Sequence, residues 1–166
     1  MLRTTLKILA AILLALFAAF AFLAFTLRPT APQISYGATF STMYAEELGL
    51  DWKEVYIAML DELGIRDVRI PAYWQRGEST RDAYDWTELD FQIALAEERD
   101  VRVVLVVGRR VPRWPECHVP GWAKELPWEE QKGELKEYMT AVVERYKGNS
   151  AIEYWQVENE PYLAVF

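Results

Sequence analysis

The sequence predicts an α/β fold, specifically a partial (β/α)8 barrel holding the first four strands, behind one N-terminal transmembrane helix. Two observations support this. Strand-like segments alternate with helical stretches of about 13–19 residues, the pattern of a parallel sheet with crossover helices. Ahead of them, Ile8 to Leu27 is a run of twenty residues without a charge. A doubly wound sheet also alternates, but it calls for a Gly-rich turn after its first strand. The chain offers Thr42-Met43-Tyr44-Ala45 there, and its long aromatic loops follow the second and third strands, as in a barrel whose active face is built from such loops.

Taken in order, the apolar run has the length needed to cross a bilayer, about 20 residues at 1.5 Å each. Arg3 and Lys7 precede it and Arg28 follows, which directs the N-terminus to the cytoplasm and the rest outward. The rival is a cleaved signal peptide. Its apolar region is usually about 7–15 residues long and ends at small residues, whereas the candidate cleavage region here carries prolines. Residues 1–28 are therefore expected to be a membrane anchor or signal segment, 29–32 a short linker, and 33–166 the N-terminal half of the barrel. The domain is placed outside the cytoplasm, membrane-anchored through residues 8–27, or secreted if the segment is removed.

Residues 33–41 read as the first strand. Asp51 is positioned to cap a helix through Leu63, with Val55, Met59, Leu60 and Leu63 on its apolar face and Gly64 ending it. Residues 66–71 form a second strand closed by Pro71. Asp85 opens a helix presenting Leu89, Ile93, Ala94 and Ala96 to a core. Val101 to Val107 is almost continuously apolar and β-branched, as a strand covered on both faces should be. A Trp/Pro-rich loop follows. Then Trp128 to Tyr146 shows helical spacing through Leu135, Tyr138, Met139, Val142, Val143 and Tyr146. Gly148-Asn149 stops it, and Ile152 to Val157 is the fourth strand.

Charge narrows the function classes. All twenty-five acidic residues and fifteen of the eighteen basic ones lie beyond Arg28, leaving that part at −10. Nucleic acid is an unsuitable partner for such a surface, while neutral ligands such as sugars are compatible with it. The single Cys117 rules out an internal disulfide framework. With His118 it makes one Cys-His pair and no second pair to complete a tetrahedral metal site, so no metal or other cofactor is expected.

Val68-Arg69-Ile70-Pro71 with Tyr73-Trp74, then Tyr84-Asp85-Trp86 with Leu89-Asp90, then Trp155 ahead of Asn159-Glu160-Pro161 resemble the large clan of retaining (β/α)8 glycoside hydrolases. Its cellulase-like, mannanase-like and β-galactosidase-like families share this pattern, and the resemblance spans residues 33–161. It implies that Glu160, after the fourth strand, is the general acid/base, that Asn159 contacts a sugar 2-hydroxyl, and that Arg69 supports the nucleophile. The nucleophile itself is implied at the end of a seventh strand, outside these 166 residues. The chain is accordingly expected to be a fragment, inactive alone, of a glycosidase acting on a carbohydrate that is β-linked in most of the clan. A barrel needs about 200–250 residues.

The chemistry needs these residue types. Retaining hydrolysis uses two carboxyls roughly 5–5.5 Å apart, one protonating the leaving oxygen and one attacking the anomeric carbon. The donor must hold its proton at working pH, which suits a carboxyl beside another carboxylate. Aromatic faces stack on sugar rings. Trp74 and Trp114 are therefore candidate subsite residues, with His118 a candidate substrate contact on the same loop as Trp114, and Trp155 is expected in the core. Glu158 departs from many clan members, although Gln-Val-Glu-Asn-Glu also resembles β-galactosidase-like ones. It is expected to support the site or face solvent. Two alternatives remain open at this level: a non-catalytic half-barrel that binds glycan or dimerises, and a membrane-tethered α/β scaffold unrelated to sugars.

Overall fold

A computed structural model describes residues 2–26 and 34–162. The chain divides into two compact units, residues 1–34 and 35–166. In the first, α1 (Leu2–Thr26) is one uninterrupted helix. Its stretch Thr4–Thr26 is 23 residues long and apolar enough to cross a membrane, a test that a signal sequence also passes. At 1.5 Å per residue this is about 34 Å, against a hydrocarbon core of about 30 Å. The Thr26 hydroxyl donates back to the Phe22 carbonyl at 2.9 Å, which satisfies it within the helix. The expected linker, 29–32, lies outside the described residues.

The second unit is a four-stranded parallel sheet with β1 (Ala38–Thr39), β2 (Asp67–Pro71), β3 (Arg102–Val107) and β4 (Ile152–Val157) side by side in chain order. A doubly wound sheet reverses its strand order partway, and no reversal occurs here. Sequential parallel staves are the arrangement of a (β/α)8 barrel. Between the strands run α2 (Thr42–Glu47), α3 (Trp52–Asp61), α4 (Trp74–Gly77), α5 (Thr87–Glu98) and α6 (Trp128–Tyr146).

The two faces of the sheet differ. Val68, Ile70, Val103, Leu105 and Val107 point toward the helices and join Tyr56, Leu60, Ile93, Tyr138 and Val142 in the main core. The opposite face carries Thr39, Arg69 and Val104 across the first three strands, with Tyr154 and Gln156 on β4. On α6, Leu135, Tyr138, Val142 and Tyr146 of the predicted stripe are buried, joined by Gln131, while Met139 and Val143 are only half-buried at its edge. Asp51 caps α3 through the amides of Lys53 and Glu54. Asp85 accepts the Thr87 amide at 2.9 Å at the start of α5.

Some expectations need correction. The first strand is only two residues long, because Ile34 and Tyr36 lie exposed and only Phe40 extends the pairing, through Arg69. α3 stops at Asp61, so Leu63 falls beyond its last turn and is 75% exposed, and Tyr56 fills the core instead. On α5, Ala94 faces solvent and Gln92 is buried. The Gln92 amide nitrogen donates to the Glu88 carbonyl, and its main-chain carbonyl accepts the Tyr56 hydroxyl.

Candidate active site at the carboxyl ends of the strands

On β2, Arg69 sits between core residues Val68 and Ile70 and therefore projects from the opposite face. Its Nε donates to Thr39 Oγ1 at 3.1 Å, and its Nη1 lies 3.4 Å from Gln156 Oε1 on β4. Gln156 is oriented by its other end, where Nε2 donates to the Glu158 carbonyl at 3.0 Å and lies 3.4 Å from Asn159 Oδ1. The Asn159 amide then donates from Nδ2 to Glu116 Oε1 at 2.7 Å. Arg69 and Asn159, 90 positions apart in sequence, are thus two contacts apart in space.

A bulge puts Gln156 in place. Val103 pairs with Ile152 while Val104 pairs with Tyr154, so Glu153 is an extra residue in β4. Because side chains alternate with period two, this extra residue lets Ile152 and Trp155, three apart, both face the helices. Trp155 is partly buried against the main core.

After β4 the chain turns sharply. Glu158 and Glu160 both have left-handed backbones, with φ of 61° and 47°. Each is costly for a residue with a Cβ, by about 1–3 kcal/mol, unless its surroundings fix it. Here they do. The Glu158 N–H donates to Val107 O and the Asn159 N–H to Arg110 O, both at 2.8 Å. Arg110 Nη1 donates to the Glu160 carbonyl at 2.9 Å. The Glu160 side chain itself is exposed.

The loop after β3 forms the neighbouring wall. His118 is buried, 3% exposed, with its ring edge-on to Tyr73 at 4.6 Å. Its Nε2 lies 3.0 Å from the Arg113 carbonyl, which can only accept, so the proton is on Nε2. Burial holds His118 below the ordinary histidine range, only partly offset by that carbonyl, and the ring is neutral. Tyr73 shares a hydrogen bond with Ser41 at 2.7 Å, lies 3.1 Å from the Pro112 carbonyl, and is pushed by burial up to about 12. Arg113 stacks on Tyr44 at 3.6 Å and pairs with Glu47 at 2.8 Å. Trp114 stands on the same loop, 64% exposed.

The structure therefore links Arg69 to Asn159 through Gln156, places the exposed Glu160 beside Asn159 past the end of β4, and leaves Trp114 64% exposed. It does not expose Trp74. That indole is buried in the core against Trp122 and Tyr138, and its Nε1 donates to Glu78 at 2.8 Å. The polar series also includes Gln156 and Glu116, which sequence reasoning gave no role. The available signal was a Gln directly after Trp155 inside the fourth strand.

The profile of a family described as glycosyl hydrolase family 10 matches residues 72–164, which include β3, β4 and Asn159-Glu160. Among solved structures, the chain is similar to a polyextremophilic β-galactosidase from the Antarctic haloarchaeon Halorubrum lacusprofundi. The TM-score is 0.57 at 21% identity, covering 76% of this chain and 21% of that one. It is also similar to the exo-β-1,4-mannosidase Op5Man5 from Opitutaceae bacterium strain TAV5, with a TM-score of 0.55 at 17% identity, covering 80% and 26%. The chain thus spans about a fifth to a quarter of these structures. No curated protein matches the sequence.

Proposed function

The chain belongs to glycosyl hydrolase family 10, and from that premise we propose that it supplies the first four staves of a retaining glycoside hydrolase. Its substrate in this reading is a β-linked carbohydrate, and Glu160 is the general acid/base. The observation carrying this reading is an Asn-Glu pair just past the end of the fourth parallel strand, within the family match. The β-linkage has support from the names of the two similar structures. The family membership weighs against a scaffold unrelated to sugars.

In the proposed reaction Glu160 protonates the glycosidic oxygen as the bond to the anomeric carbon breaks. A second carboxylate, from a later strand of the longer protein, attacks that carbon. Glu160, now ionised, takes a proton from water, whose oxygen displaces the carboxylate and restores both groups. Asn159 presents a neutral amide to a sugar hydroxyl. Arg69, on the inner face, supports the nucleophile and keeps it ionised. Trp114 is proposed to stack on a sugar ring. Trp74 and His118 then act from beneath, as buried supports of the loops they anchor. Lacking the second carboxylate, the 166 residues alone are proposed to be inactive. The α1 segment is proposed to anchor the domain in a membrane, with Arg3 and Lys7 on the cytoplasmic side and the barrel outside.

The test is Glu160→Gln in the full-length protein, assayed on aryl glycosides. General acid catalysis contributes typically 10²–10⁴-fold. The rate should fall by about that factor for a phenyl leaving group and far less for a dinitrophenyl one, which needs no proton. Unaltered hydrolysis of both would defeat the assignment. The alternative, a glycan-binding or dimerising half-barrel without catalysis, is favoured by the exposure of Tyr154 and Val157 on β4, each 62%. It predicts a 166-residue chain that is dimeric or binds oligosaccharide.

A further inference from the structure

Glu158 is the least expected residue of the strand-four turn, a second acidic position beside Asn159 and Glu160. Its side chain folds back across the sheet, and both oxygens are engaged. Oε1 accepts the main-chain N–H of Arg109 at 2.9 Å, and Oε2 accepts that of Arg110 at 2.7 Å. Two successive amides at the end of β3 thus hold one carboxylate. The approach requires Gly108. A Cβ there would stand 2.7 Å from the Glu158 Cδ and 2.8 Å from Oε1, closer than atoms pack. The Gly108 φ of 144° is also one that glycine alone adopts readily.

We propose that Glu158 is a positioning residue for catalysis: its carboxylate, clamped in the Gly108–Arg110 turn, fixes the left-handed backbone from which Glu160 is presented. This rests on the acid/base reading of Glu160. The clamp works with the main-chain bonds that join 158 and 159 to 107 and 110, and with Arg110 on the Glu160 carbonyl. Together they tie three consecutive residues after β4 to the end of β3 and the loop that follows it. Two backbone conformations that would otherwise relax are held. The chemistry of the clamp demands an anion. Two N–H donors need two acceptor atoms, and a carboxylate provides both, whereas an amide provides one oxygen and turns an NH2 group toward the second donor. A charge-assisted bond is also roughly twice as strong as a neutral one.

Glu158→Gln therefore keeps the size of the side chain and breaks half of the clamp. Glu158→Asp keeps the charge and draws it back by one methylene, a second route should the glutamine variant fold poorly. Both are made in the full-length protein beside Glu160→Gln and assayed with phenyl and 2,4-dinitrophenyl β-glycosides of the sugar it cleaves fastest. A small misplacement of a catalytic group costs up to about 10²-fold. The expected result for Glu158→Gln is a kcat lowered on the order of 10- to 100-fold for the phenyl glycoside. KM should be nearly unchanged and the dinitrophenyl rate largely retained. Glu158→Asp should show the same split at smaller size. A purely structural role would instead lower both rates together, in step with the thermal midpoint. That result, or an unchanged phenyl rate, overturns the proposal while leaving Glu160 intact. If Glu160→Gln itself shows no leaving-group dependence, the acid/base reading falls and the positioning role falls with it.

Discussion

His118 shows how burial turns a titratable residue into a structural one. Its ring is packed against Tyr73, its Nε2–H is used by the Arg113 carbonyl, and desolvation disfavours its charged form. The folded-state pKa is therefore depressed below the unfolded value of about 6.5. For a histidine held neutral, stability is fully present above the unfolded pKa and is lost as pH falls from there toward the folded one. The thermal midpoint should decline below about pH 6.5, and the decline should be shallower in His118→Asn, whose amide still donates but does not titrate. Equal slopes in the two proteins would exclude His118 as the cause. The sequence marked His118 as a substrate contact because it stood alone on an aromatic loop. Sequence position could not show that the loop folds inward over it. Arg69 was more legible, since one charge between two apolar strand residues must point away from the core they enter.

Among the elements, the strands and long helices were readable because their periodicity reflects burial on one side. α6 and β4 fall where the pattern put them. The bulge in β4 was not readable, because one extra residue changes which parity faces the helices without altering composition. The short helix α4 was also hidden. Gly77 within it meets the Tyr138 ring, and a Cβ there would lie 2.6 Å from the hydroxyl and 2.8 Å from Cε2. Tyr138 is fully buried, with Trp74 and Trp86 stacked nearby, so it cannot swing aside. Alanine favours helix by about 1 kcal/mol over glycine, but overpacking costs about 1–3 kcal/mol. Gly77→Ala should be net destabilising, seen as a lower denaturant midpoint with unchanged slope. A stabilised variant would show that the stack yields.

At the scale of the whole chain, an apolar helix with basic residues at its start precedes an acidic domain. If α1 anchors the protein, it should stay with membranes under alkaline carbonate, and deletion of residues 2–26 should release the domain. Recovery of the domain from the medium, starting at a new N-terminus, would establish removal instead. The α/β class and sheet polarity were legible over the whole domain because each strand repeats the same burial logic. The nucleophile proposed to work with Glu160 was not, because a barrel assembles its site from strand ends far apart in sequence. The stitching of residues 158–160 to residues 107–110 also bears on engineering. A designer who transplants the strand-three loop from a relative to change sugar preference would remove the seat of Glu158. Chimeras should retain activity only when the two segments are exchanged together, as one cassette.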